Sequence, residues 1–319
     1  MTTYIIKRLI QMLLVLIIIT LLVFFVMRLM PGDPLMIYMA RSGNLENMSF
    51  EQLDQLRIQY GLDKPLIVQY FDWVKGVFQG DFGESIIYKQ SVGRLLKERF
   101  PVTLYLGIPA LIISSILGIT SGIIAAIWRG RWPDKIVTPL SYIGLTIPVF
   151  WLGILMIYVF GWKLGWLPIA GYTSPFDDFW LSIRRLVMPV ICLSVFGIAA
   201  NARQMRSSML EVIQQDYVRT AWAKGLPGRV VILKHALKNS IIPVITLIGF
   251  GVGIILGGNV LVETVFSIPG IGFLATQSVL SNDYIVVQSI TLILSFVILT
   301  TNLLVDLSYA WLDPRIKYG

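Results

Sequence analysis

The chain has 319 residues, of which 56% are hydrophobic and only 14% are charged. Soluble domains carry about 45–50% apolar and about 25% charged residues. This composition therefore excludes an ordinary soluble enzyme, a disordered chain and a disulfide-rich secreted module. The net charge of +8 would suggest nucleic-acid binding in a soluble chain, so its meaning depends on where the charges lie. The single cysteine, Cys192, allows no internal disulfide, and the single histidine, His235, leaves no ligand cluster for zinc.

Uncharged apolar runs predict the membrane-spanning segments, because a bilayer core about 30 Å thick requires roughly 20 helical residues. Six such runs predict an all-α integral membrane protein with six transmembrane helices: Leu9–Met27, Phe100–Trp128, Ile136–Trp162, Leu186–Ala202, Asn239–Val262 and Tyr284–Val305. A seventh uncharged run, Thr264–Asn282, contains Pro269–Gly272 and many hydroxyl and amide side chains. We expect that run to be interfacial or re-entrant rather than a span.

Lysine and arginine concentrate on one side of the predicted membrane. The two termini and the connections after the second and fourth spans hold 14 basic and five acidic residues, and seven of those basic residues lie between residues 203 and 238. The segments on the other side hold 12 basic and 13 acidic residues. Because basic loops remain in the cytoplasm, both termini are expected there. The excess positive charge is a topology signal and does not indicate nucleic acid.

The polar segment from residue 31 to residue 99 is predicted to be a small helical insert outside the cytoplasm. The Ser49–Gln52 stretch has the spacing of a capping box, and Gly61 can end the helix that follows. The Asp63–Pro65 stretch opens a second helix, and Gly80–Gly83 ends it. Its apolar side chains recur at helical spacing: Leu66, Tyr70, Trp73 and Val77. Two interpretations stay open, a cap on the outer membrane surface and a docking platform for an external protein.

The long basic loop at residues 203–238 has a predicted shape as well as a charge. Tyr217–Lys224 has helix-compatible composition, and Gly225 followed by Pro227 ends that helix. A second, basic helix is expected over Gly228–Asn239. A topology-only loop attracted to anionic lipid is one interpretation. The helix-turn-helix shape favours the other, a docking helix.

Small side chains support the docking interpretation. Ala221, Ala223 and Gly225 would let another backbone approach this helix closely. By contrast, Gly249, Gly253 and Gly257 recur at four-residue intervals inside a predicted span. That spacing favours a helix-packing face over a pore-lining role.

Six motifs occur along nearly the whole chain in an order known from one family. They are Met30–Pro34 (MPGDP), Gly61–Pro65 (GLDKP), Gly80–Gly83 (GDFG), Asp216–Gly225 (DYVRTAWAKG), Glu263–Gly272 (ETVFSIPGIG) and Asp313–Arg315 (DPR). The chain thereby resembles the membrane subunits of binding-protein-dependent ABC importers of the dipeptide and oligopeptide permease type, which also includes nickel and glutathione permeases. The general family motif is Glu-Ala-Ala, three residues and Gly. Only Ala221 and Gly225 match it here, and Arg219 and Thr220 occupy its first two positions.

The resemblance implies a type I ABC importer permease fold and a pore-forming subunit without catalytic activity of its own. It also implies a coupling helix that sits in a cleft of a separate ATPase subunit, formed by Tyr217, Arg219, Thr220, Ala221, Ala223, Lys224 and Gly225. The implied partners are a second homologous permease, two ATP-binding subunits and an extracytoplasmic solute-binding protein that faces Pro31–Arg99. The implied location is a bacterial or archaeal cell membrane, and the implied cargo is a peptide or a related small solute.

The predicted organisation has two parts. Residues 1–99 hold the first span and the insert, and residues 100–319 hold a five-helix core with the coupling loop. The sequence contains no phosphate loop of the G-x-x-x-x-G-K-[ST] kind, and we predict no catalytic, cofactor or metal site. An ion-coupled secondary transporter stays as an alternative, although such carriers usually place ionisable groups at mid-membrane and the six runs hold none. An intramembrane enzyme would need a nucleophile and a base, and the only histidine lies in the basic loop.

Overall fold

The long apolar runs fold as helices, since a helix satisfies its backbone polar groups within one segment of chain. The computed structural model describes residues 2–29, 50–59 and 61–312. Regular structure in those ranges is helical, apart from an isolated antiparallel bridge between Glu84 and Ser91. The helices are α1 (Thr2–Leu29), α2 (Phe50–Gln59), α3 (Leu66–Phe78), α4 (Val92–Ile127), α5 (Trp132–Thr146), α6 (Val149–Met156, extended by π-helical turns over Ile157–Lys163), α7 (Phe179–Ile213), α8 (Asp216–Ala223), α9 (Gly228–Ser240, with π-helical turns over Val231–Ala236), α10 (Ile242–Val265), α11 (Ile271–Leu280) and α12 (Tyr284–Leu312).

Four helices in the described part of the chain are long and apolar enough to cross a membrane unaided: Ile5–Leu29, Val92–Ile127, Phe179–Ile213 and Tyr284–Val305. They coincide with four of the six predicted spans, although Trp128, the last residue of the second predicted span, lies just after its helix. The other two predicted spans fall on pairs of helices that bend, α5 with α6 by 101° and α9 with α10 by 52°. The described residues therefore provide four crossings, or up to six if each bent pair crosses once.

Prolines account for both bends. The uncharged run Ile136–Trp162 predicts one continuous span. In the structure, however, α5 ends at Thr146 and Ile147 is extended, with φ −68° and ψ 124°. Pro148 follows, and a residue before proline is pushed out of the helical region by the proline ring. In the second pair, Pro243 lies in the first turn of α10. Because proline has no N–H, it cannot continue the backbone hydrogen bonds of α9 into α10.

The seventh uncharged run does not form a spanning helix. α10 continues to Val265, an irregular stretch follows, and α11 has only ten residues. Ten helical residues extend about 15 Å, which is half of a hydrocarbon core of about 30 Å. The absence of a long helix over Thr264–Asn282 agrees with the expectation, and its interfacial or re-entrant position stays a prediction.

Packing divides the chain into two units. The first consists of residues 1–103 and 269–299, and the second of residues 104–268 and 300–319. In the first unit, the start of α4 packs against α11 and α12 through fully or almost fully buried side chains: Val92, Leu95, Ile271, Leu274, Val286 and Ile290. Arg28 at the end of α1 donates to Gln69 on α3 and to Gln288 on α12, at 3.0 and 2.6 Å. These contacts hold α3 against α1 and α12.

The insert folds as two helices, as predicted, over the residues that the structure describes. Gly61 has a φ of +65°, and the next amide, of Leu62, donates to the carbonyl of Arg57 at 2.8 Å, which ends α2. Pro65 immediately precedes α3, and Gly80 follows its end. Some of the predicted features lie outside the described residues: Ser49 of the capping box and the motifs Met30–Pro34 and Asp313–Arg315.

In the second unit, small residues allow helices to approach closely. A Cβ atom added at Gly122 on α4 would lie 2.6 Å from the carbonyl oxygen of Ala202 on α7. A Cβ atom at Gly249 on α10 would lie 2.1 Å from a methyl group of Val305 on α12. Any larger residue at Gly122 would force α4 and α7 apart. The contact at Gly249 supports the packing interpretation of the predicted glycine face.

Candidate coupling site

The helix predicted over Tyr217–Lys224 exists as α8, Asp216–Ala223. α7 ends at Ile213, and the chain turns through Gln215, whose extended backbone precedes the first helical residue. Asp216 lies in the first turn of α8, where a carboxylate interacts favourably with the helix dipole. The turn and this charge place a short helix between two much longer ones.

One face of α8 is buried within the chain itself. Val218 and Ala221, three residues apart, are almost completely buried against Val231 at the start of α9. The close backbone approach that we expected at Ala221 is therefore used by α9 of the same chain. The methyl group of Ala221 packs between α8 and α9 and is not on the outer surface.

The opposite face of α8 is open and carries most of the predicted site residues. Exposed side chains are those of Tyr217, Arg219, Thr220, Trp222, Ala223 and Lys224. The Arg219 guanidinium lies 3.7 Å from the Asp216 carboxylate, and both groups are largely in solvent. Such an exposed pair contributes about 0–1 kcal/mol, so Arg219 is available to a partner.

Sequence reasoning missed Trp222. Its side chain is 47% exposed, and its ring lies over Gly228, where an added Cβ would come within 3.1 Å of the ring. Tryptophan is enriched among the residues that dominate protein interfaces. Trp222 is the only tryptophan in the sequence of the basic loop at residues 203–238, and that was the signal that could have identified it.

The turn between α8 and α9 depends on Gly225. Its φ is +74°, a left-handed conformation in which residues with a side chain are strained, and its amide donates to the carbonyl of Trp222 at 2.9 Å. No atom lies within 4 Å of the position that a Cβ would occupy. The glycine is therefore required by the backbone conformation and not by crowding. Pro227 immediately precedes α9.

The helix pair is attached firmly to the long helices on either side. The Asn239 side-chain amide donates to the Tyr217 hydroxyl at 2.7 Å, which ties the start of α8 to the end of α9. Ala236 of α9 is buried with Met205 and Met209 of α7 and with Val244 of α10. A displacement of α8 would therefore be transmitted to both long helices.

The seven basic residues of the predicted loop are not equivalent. α7 continues to Ile213, so Arg203 and Arg206 belong to the long helix and not to the loop. Arg206 forms a two-point contact with Asp134 of α5, at 2.6 and 2.9 Å. The other six basic side chains are exposed: Arg203, Arg219, Lys224, Arg229, Lys234 and Lys238.

Buried acidic groups lie elsewhere. Glu263 and Asp283 are completely buried. Asp283 Oδ2 accepts hydrogen bonds from the Ser85 hydroxyl and, at 3.4 Å, from the Ile87 amide. Its Oδ1 atom has no hydrogen-bond partner, and burial raises the pKa of this carboxyl. In the described part of the chain, no three His, Cys, Asp or Glu side chains are grouped as metal ligands.

Comparison with known families accounts for nearly the whole chain. Residues 118–318 match the family described as binding-protein-dependent transport system inner membrane component. Residues 1–107 match the N-terminal region of such membrane components. The chain belongs to this family of permeases. The resemblance drawn from the motifs is therefore confirmed.

Two full-length relatives are permeases named for peptide and glutathione transport systems. A Brucella abortus (strain 2308) permease named for a peptide transport system is 39% identical over 319 residues, which is 100% of both chains. The glutathione transport system permease protein GsiC of Escherichia coli (strain K12) is 39% identical over 318 residues, again 100% of both chains. A chain of the MetNI methionine ABC transporter, in an inward-facing conformation, matches with a TM-score of 0.54 and 16% identity. That match covers 69% of this permease and 96% of the other chain, and it concerns the fold.

Proposed function

We propose that this permease is the pore-forming subunit of an ATP-driven importer that moves peptides or a related small solute. The family match over both halves of the chain carries the proposal. The substrate class follows from relatives that are named for peptide and glutathione transport. In this assignment an extracytoplasmic binding protein delivers the solute to the side of residues 31–99, and a second homologous permease completes the pore.

The proposed topology has six crossings with both termini in the cytoplasm. Four crossings use the long helices, and each bent pair supplies one more. The division of charge between the two sides supports this orientation. The helix pair α8–α9 then lies in the cytoplasm, and we retain the proposed organisation of a first part, residues 1–99, followed by a five-helix core.

The proposed coupling site is the exposed face of α8 together with its glycine turn. Two ATP-binding subunits would hydrolyse ATP, and each permease would insert its α8 into one of them. Movement of α8 would pass through the Val218–Val231 contact to α9 and from there to α7 and α10. Two packed arrangements of these helices would open the pore to opposite sides.

The test is a matched pair of glycine substitutions in the assembled transporter. Gly225→Val places a branched side chain at φ +74°, and Gly165→Val places the same side chain at φ +63° in a turn predicted on the opposite side. Neither position has an atom within 4 Å of the new Cβ, so the strain is similar, about 1–2 kcal/mol for a non-glycine residue.

We expect Gly225→Val to assemble and hydrolyse ATP while losing at least tenfold in solute uptake per ATP, whereas Gly165→Val keeps the parent ratio. Uptake and ATP hydrolysis are measured in the same proteoliposomes. An unchanged ratio in Gly225→Val contradicts the coupling assignment. Equal losses in both variants also contradict it, because they would reflect strain alone.

A further inference from the structure

A groove with aromatic walls lies at the turn between α4 and α5. Trp128 directly follows α4 and Trp132 begins α5, and their rings meet edge to face with centroids 6.5 Å apart. The cavity has a volume of about 370 Å³. Its lining is entirely apolar: Ile124, Trp128, Trp132, Pro133, Ile136 and Val137.

Three cations are sequence neighbours of the groove's lining residues and have no matching anion. Arg129, Arg131 and Lys135 are exposed, and no carboxylate of the described residues lies within ion-pair distance of them. The only acidic residue between Arg99 and Phe176 is Asp134, which could have neutralised one of them.

Asp134 is turned away from the groove. Its side chain is only 9% exposed and accepts from Arg206 at both oxygens. It also accepts from the Gly130 amide at 2.9 Å and from the Thr138 hydroxyl at 2.8 Å. With its carboxylate satisfied on the inner side, the turn presents three positive charges outward.

The groove begins where a membrane-spanning helix ends, so its environment changes from hydrocarbon to headgroups. Tryptophan concentrates at this depth, and clustered lysine and arginine attract anionic lipid there. We propose that the α4–α5 turn is a binding site for an anionic phospholipid. The acyl chain occupies the groove between Trp128 and Trp132, and Arg129, Arg131 and Lys135 hold the headgroup phosphate. This proposal requires only that α4 crosses the membrane, so it stands or falls independently of ATP coupling.

The experiment compares two triple variants of the full-length chain, each with three cations replaced by neutral glutamine. Both are purified in detergent together with the subunits that copurify with them. R129Q/R131Q/K135Q removes the three cations of the turn. R229Q/K234Q/K238Q removes three exposed cations from α9, on the same proposed side of the membrane. Phosphatidylglycerol and phosphatidylcholine with identical acyl chains are titrated, and bound lipid is counted by native mass spectrometry.

We expect the parent and the α9 variant to prefer phosphatidylglycerol, and the turn variant to lose about tenfold or more in that preference, since each cation near a surface contributes about 1 kcal/mol. A preference retained by the turn variant overturns the proposal. Equal losses in both triple variants also overturn it, because they would indicate only diffuse attraction.

Two further measurements separate the acyl chain from the phosphate. W128A/W132A removes the walls of the groove, and we expect it to weaken both lipids while leaving their ratio unchanged. Glycerol 1-phosphate in excess should fail to displace bound phosphatidylglycerol. Full displacement, or unchanged lipid affinity in W128A/W132A, would show a phosphate site without a lipid groove and would overturn the proposal.

Discussion

The carboxyl group of Asp283 is removed from solvent among partly satisfied polar contacts. It is completely buried at the start of α12, with Ser85 and Ile87 as donors to one oxygen and no partner for the other. Burial in a medium of low polarity disfavours the charged form of an acid. The pKa of Asp283 is accordingly raised, and the Ser85 hydroxyl opposes that shift only in part.

This burial predicts a stability that depends on pH. In the unfolded chain the Asp283 carboxyl titrates near its ordinary pKa of about 4, whereas in the folded protein its pKa is higher. Its stabilising contribution is fully present below about pH 4 and is lost as pH rises through the raised pKa. Asp283→Asn is neutral at every pH, so we expect its Tm relative to the parent to increase from pH 4 to pH 8.

Thermal unfolding of the purified protein in detergent measures this difference. Asp177→Asn, the same change at an exposed position, is the control and should shift the Tm difference little with pH. A difference between Asp283→Asn and the parent that stays constant from pH 4 to pH 8 would contradict the burial argument.

Sequence reasoning could place residues along helices but could not say which way each one faces. Motif spacing located Tyr217 and Arg219 on a short exposed helix, and Lys224 at its end. It gave Ala221 the same role, although Ala221 faces α9, because that face is decided by how α8 and α9 pair. The burial of Asp283 escaped prediction for the same reason, since its donors lie about 200 residues earlier in the chain.

At the scale of the helices, prolines and ion pairs decide where long apolar runs break and how they are joined. The sequence predicted six apolar runs correctly as helical segments. It did not predict that Ile136–Trp162 would break by 101°, because charge-free length alone does not distinguish one straight helix from two. The break leaves α5 as a separate helix that packs on α7.

The Asp134–Arg206 pair is predicted to hold α5 on α7. Asp134→Asn or Arg206→Gln alone should destabilise the protein by roughly 2–4 kcal/mol, because each leaves a partly buried charge without its partner. The double variant should lose less than the sum, with a coupling of about 1–3 kcal/mol. Unfolding of all four proteins in denaturant, under matched detergent conditions, gives the coupling.

The exposed Lys64–Asp72 pair, 2.7 Å apart with about half of each side chain exposed, is the control cycle. Its coupling should fall below about 1 kcal/mol, as for other surface pairs. Additive effects of Asp134→Asn and Arg206→Gln would remove the ion pair as the link between α5 and α7.

At the scale of the whole molecule, the location of the charged residues explains the net positive charge, whose meaning composition alone left open. The proposed cytoplasmic segments carry a net charge of +9 and the other segments −1, and exposed cations lie on α8 and next to the α4–α5 turn. The family match assigns the chain to the inner membrane components of binding-protein-dependent transport systems. Under the proposed function, transport energy comes from partner subunits, and the permease supplies the pathway and the coupling helix.

Solute uptake into proteoliposomes tests this account most directly. The permease is reconstituted alone, and in parallel with its second permease and ATP-binding subunits, with the solute-binding protein on the outer side. We expect peptide accumulation only in the complete assembly and only with ATP inside the vesicles. Accumulation by the permease alone, driven by a proton or sodium gradient without ATP, would contradict the account.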